Sequence, residues 1–110
     1  MEALMVDDSD GHYEVVWPRS ERMTELRPLA PRLPSLEGVK VAQLWDFLFR
    51  GDEVFEALEA SLRGRIPGIQ FVSWREFGNT HGADEAQILA DLPQRLKSLG
   101  IGAVISGMGC

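Results

Sequence analysis

Cysteine is almost missing from this chain: Cys110, the final residue, is the only one. A single thiol excludes an internal disulfide and a multi-cysteine zinc site. Basic residues are also in short supply, 11 Lys and Arg against 17 Asp and Glu, for a formal net charge of −6. Such a chain lacks the positive footprint that nucleic acid demands and is poorly suited to anionic membrane surfaces. No apolar run approaches the roughly 18 residues a membrane span needs. The N-terminus has neither the basic start nor the apolar stretch of a signal peptide. The expected location is the cytoplasm, with no nucleic-acid or membrane partner. Histidine is nearly as scarce, with His12 and His81 alone, so few side chains can change charge near neutral pH.

With 110 residues, the expectation is one domain with a modest core. Residues 1–26 read as an acidic, flexible segment, with Glu2, Asp7, Asp8, Asp10 and Glu14 near its start. Within it "HYEVVWP", His12 to Pro18, has short-strand character through Val15, Val16 and Trp17. Met23 is as good a start as Met1. Next, "RPLAPRLPSLEG" sets Pro28, Pro31 and Pro34 three apart, a spacing that suits polyproline II. Leu29, Leu33 and Leu36 point to a strap laid on apolar surface; the alternative is a ligand for a proline-binding module.

From Gly38 onward strands and helices alternate. "VKVAQLWD", Val39 to Asp46, is a near-continuous apolar run, as in a strand buried on both faces. Asp52 can cap a following helix whose Val54, Phe55, Leu58, Leu62 and Ile66 make one face, and Pro67-Gly68 stops it. "IQFVSWREF", Ile69 to Phe77, is a second strand. Ile88, Leu92, Leu96 and Leu99 then share a helical face. Pro93 costs an interior helix about 3 kcal/mol, so the favoured reading ends a short turn near Asp91 and starts a new helix with Pro93 in its first turn. Gly100 closes that helix, and "IGAVISG" is a third strand. The predicted fold is α/β: a three-layer β-α-β-α-β arrangement on a short parallel sheet, half of a doubly wound flavodoxin- or Rossmann-like fold.

Open parallel sheets bind ligands beyond the carboxyl ends of their strands. Three stretches fall there. Asp46 could bind a metal, accept a proton or hold a ribose, or simply face water or cap the loop. "FGNTHGADE" places Asn79, Thr80 and His81 between Gly78 and Gly82, as a loop close to a ligand would; the plainer reading is a turn before a helix. "SGMGC", with Gly107, Gly109 and Cys110, reads either as a phosphate-cradling turn or as a C-terminal tail. No metal site and no particular cofactor is indicated.

"PLAPRLPSLEGVKVAQLWD", "FGNTHGADE" and "AVISGMGC" together resemble the UGSC-like family over about residues 27–110. In that family a strand leads to a Gly-x-Gly turn, one further residue, and then a selenocysteine- or cysteine-Gly-Ser-Cys motif, with more sheet and helix beyond. The resemblance implies that residues 27–110 are the N-terminal half of such a domain, ending at Cys110 just before the motif. Selenocysteine is encoded by UGA, normally a stop codon, which would account for an end at this place. Cys110 does not map onto the redox cysteines.

Three functions follow as expectations. The first is the N-terminal half of a thiol- or selenol-dependent oxidoreductase, inactive by itself, acting on a small-molecule substrate or thiol partner. Asp46 and His81 would be its catalytic residues, and Asn79, Thr80, Gly107, Gly109 and Cys110 would contact the ligand. The second is a noncatalytic module binding a small molecule or anion. The third is a subunit completed by another chain, including a homo-oligomer through an exposed sheet edge.

Overall fold

The computed structural model describes residues 11, 13–21 and 24–109, and the chain divides into two units, Met1–Pro31 and Arg32–Cys110. The acidic run from Glu2 to Asp10, together with His12, Met23 and Cys110, lies outside the described residues. In the first unit Tyr13 occupies an isolated bridge position, and residues 14–20 form neither strand nor helix. The strand expected over His12–Pro18 is therefore not found among the described residues. Strand propensity measures fit to a neighbouring ladder, and it builds nothing without one.

The second unit holds the sheet. Its central strand, β1 (Lys40–Trp45), is buried at every position from Val41 to Trp45. It pairs in parallel with β2 (Gln70–Val72) on one side and β3 (Ala103–Gly107) on the other, giving the order β2-β1-β3. Between them run α1 (Gly51–Arg65) and α2 (Glu85–Ser98). Because β2 and β3 lie on opposite sides of β1, two right-handed crossovers put the helices on opposite faces. The side chains agree. Ala42 and Leu44 join Phe77, Leu92, Leu96 and Leu99 in the core on the α2 side. Gln43 bonds to Glu59 of α1, and Trp45 packs on Gly51 at the start of α1. The fold is thus the expected three-layer α/β arrangement, and 2-1-3 is how the flavodoxin-like strand order begins.

Several local expectations change. Helix α1 starts at Gly51, with Arg50 in the cap position and no side-chain cap, so Asp52 lies inside the first turn beside Glu53. Gly51 is required there: a Cβ would come within 2.7 Å of the Trp45 ring carbons Cδ1 and Cε2. The buried face of α1 is narrower than its apolar pattern. Phe55 is fully buried, whereas Val54 and Leu58 remain 42% and 37% exposed. Phe55 and Glu59, one turn apart, take the sheet-facing positions, leaving Val54 and Leu58 on the flank.

Strand β2 is only Gln70–Val72, because Ser73 starts a 3₁₀ turn over Trp74–Glu76, its Oγ accepting the Arg75 N–H at 3.2 Å. Helix α2 runs unbroken through Pro93, so the expected break near Asp91 does not occur. Pro93 and Leu89, one turn earlier, both lie on the exposed face. Water is available there to the carbonyl that loses its donor. At the far end Gly100, at φ 69°, donates to the Lys97 carbonyl, and the Ile101 N–H bonds to the Leu96 carbonyl. This is the left-handed glycine stop that satisfies the last carbonyls of a helix. The strap is not seated: Leu33 and Leu36 are 45% and 38% exposed.

Candidate functional site

The sheet reverses its winding at β1, and the crevice beyond the carboxyl ends of β1 and β3 is where such sheets place ligands. All three strand-end loops are tied to the last residues of β1. The Trp45 carbonyl accepts the Thr80 N–H at 3.1 Å, and Trp45 makes a parallel bridge with Asn79. The Asp46 N–H donates to the Gly107 carbonyl at 3.1 Å. The Asp46 carboxylate then accepts the Met108 N–H at 2.9 Å on Oδ1 and the Gly109 N–H at 3.1 Å on Oδ2. Its Oδ1 also takes the Leu48 N–H at 3.3 Å. Asp46 thereby fixes both its own loop and the turn after β3. The peptide joining Gly107 to Met108 is cis.

These bonds set the chemistry of Asp46. The Met108 N–H, foremost, holds the carboxyl below its ordinary value of 3.8. Partial burial pushes the other way, and the Leu48 and Gly109 N–H groups add to the lowering. An ionised carboxylate accepting several backbone N–H bonds is a weak proton carrier near neutral pH. The same bonds occupy the amides that an anion would need. Gly107-Met108-Gly109 is a cradle, and Asp46 already fills it.

The 78–85 loop is shaped by its own side chains. Asn79 Oδ1 accepts the His81 N–H at 2.9 Å, the local bond by which asparagine stabilises a turn. Gly82 lies against the Asn79 amide, where a Cβ would fall 2.8 Å from Nδ2. The His81 side chain is 56% exposed, and the carboxylate 4.0 Å from its Nδ1 belongs to Glu85, not Asp46. So the structure brings Asn79, Thr80, Gly107 and Gly109 to the end of β1. It leaves the His81 side chain exposed beside Glu85, while Cys110 lies outside the described residues.

An aromatic group at this edge went unread in the sequence. Trp45, Phe47 and Trp74 form a triangle with ring centroids 4.7–5.4 Å apart. The Trp45 Nε1–H donates to the Leu48 carbonyl at 3.0 Å. Phe47 and Phe49 hold φ of 61° and 57°. Bulky residues in that region are strained, and such strain gathers at functional sites. The available signal was the density of rings in "LWDFLF" at a strand end. Among the described residues no three His, Cys, Asp or Glu side chains gather as metal ligands would, and no helix is long and apolar enough to cross a membrane.

No curated protein and no solved structure matches the chain significantly. A family model does match, over residues 14–110, nearly the whole length, and by that match the chain belongs to the UGSC family.

Proposed function

We propose that this chain carries the strand-end scaffold of a thiol- or selenol-dependent oxidoreductase. The observation that supports it best is the clamp of Asp46 on the turn after β3. The redox motif for which the family is named follows that turn, so the clamp would fix where the reactive thiol or selenol starts. In the reaction that suits such a motif, a thiolate or selenolate attacks one sulfur of a substrate disulfide. The S–S bond breaks and the first thiol leaves with a proton. The motif's second cysteine then displaces the other thiol, so the substrate gains two electrons and the motif becomes a disulfide or selenenylsulfide. The motif's own thiol and selenol groups supply both protons. Asp46 acts as a positioning residue, Asn79 and Thr80 face the substrate, and His81 carries a proton between motif and leaving thiol. The alternative of an anion bound at the Gly107–Gly109 turn is less well supported, because Asp46 uses those amides.

The test is disulfide reduction by a chain that includes the motif. His81→Ala should lower turnover by about 100-fold or more while leaving the unfolding midpoint nearly unchanged, since an exposed loop side chain packs little. Unaltered turnover would return His81 to the scaffold.

A further inference from the structure

On the α1 side of the sheet, away from the β1–β3 crevice, lies a cleft of about 620 Å³ between α1 and the segment after β2. That volume falls within the range of small-molecule sites. At its floor is Gln43, a polar side chain in the middle of the central strand and only 3% exposed. Its Nε2–H donates to Glu59 Oε2 at 3.1 Å. A carboxylate can only accept, so the amide's orientation is settled: nitrogen toward Glu59, oxygen away from it. Among the described residues no donor bonds to Gln43 Oε1, yet no buried side-chain oxygen is sealed off without a partner. The oxygen therefore opens on the cleft that Gln43 lines.

The charges around the cleft divide into spent and unspent. Glu59 is matched by Arg63 at 2.7 Å. Arg75 lies over the Trp74 ring at 4.3 Å. Asp52 and Glu56 stand one turn apart on the α1 wall, and among the described residues no Lys, Arg or His side chain comes within 4.0 Å of either. The groups left without a partner are an amide oxygen that opens on the cleft and two carboxylates. All three call for N–H donors, and two call for positive charge.

We propose that this cleft is a binding site for a small aliphatic amine of the diamine class. One ammonium head donates to Gln43 Oε1, and the positive charge is balanced by Asp52 and Glu56. The net charge of −6 adds a long-range attraction for such cations.

Calorimetric titration of the chain with 1,4-diaminobutane tests this, with sodium chloride and succinate at matched ionic strength as controls. Saturable binding of the diamine alone is expected. The double variant Asp52→Asn with Glu56→Gln, at exposed positions that leave folding intact, should weaken it at least tenfold. Gln43→Met, which keeps the volume and removes the amide, should weaken it likewise. If Gln43→Met fails to fold by circular dichroism, the double variant decides. No saturable diamine binding, or equal binding by wild type and double variant, would overturn the site. Neither result depends on redox activity.

Discussion

Asp46, a candidate catalytic residue by sequence, fastens two loops in the fold. Its carboxylate is held below 3.8 by backbone N–H groups, the Met108 bond first. A depressed folded-state value stabilises the folded form above the unfolded value, and that contribution is lost as pH falls through the folded value. The turn should therefore be firm at neutral pH and loosen only in acid. Amide proton shifts of Met108 and Gly109, followed by NMR, should titrate together with a midpoint below 3.8, and Asp46→Asn should abolish the step. A midpoint above 3.8, or amides indifferent to the substitution, would remove the clamp. Residue types announced part of this site. Asp46, Asn79, Gly107 and Gly109 are small or polar residues at strand ends, where such residues shape turns. Phe47 and Phe49 gave no such signal, because nothing in a phenylalanine's identity announces a positive φ. Gln43 stood out only as a single amide inside an apolar run, and its meaning depends on Glu59, sixteen residues away.

At the scale of elements, α1 separates apolar pattern from burial. Phe55 sits under the helix against the sheet, while Leu58 stays 37% exposed on the flank. Phe55→Ala should cost about 3–5 kcal/mol, the usual loss for a buried ring, whereas Leu58→Ala should cost about 1 kcal/mol or less, nearer the surface range. Urea unfolding followed by circular dichroism compares them, and equal losses would mean that α1 presents a different face to the sheet. The order of elements and the parallel sheet were legible because alternating periods of two and 3.6 allow few topologies. The face of α2 was legible too, since Leu92, Leu96 and Leu99 all reach the core. The details that escaped depend on tertiary partners. Gly51 starts α1 because the Trp45 indole leaves no room for a Cβ. Pro93 is carried within α2 because its turn faces water. Strand β2 stops early because the Ser73 side chain bonds to the Arg75 N–H and starts a 3₁₀ turn in place of a continuing ladder.

At the scale of the whole molecule, the two edges of the sheet are unequal. The β2 edge is three residues long, and a short edge strand offers little to pair with. The β3 edge is five residues, Ala103–Gly107, with no charge, no proline and an exposed Val104. Among the described residues its outer side has no partner. An uncharged edge of that length is a template for another strand. A second copy of the chain would supply one if it ran antiparallel about a two-fold axis, where like would meet like without opposed charges. The remaining resistance is general, from the net charge of −6 on each copy, and salt screens it. We therefore expect sedimentation velocity at micromolar concentration to show dimers or larger species that grow with ionic strength. Val104→Lys places a charge on the edge at an already exposed position, so it should shift the chain to monomer without lowering its unfolding midpoint. A wild type that sediments as a monomer at both low and high salt would mean that the β3 edge is covered within a single copy, and Val104→Lys should then leave the sedimentation coefficient unchanged.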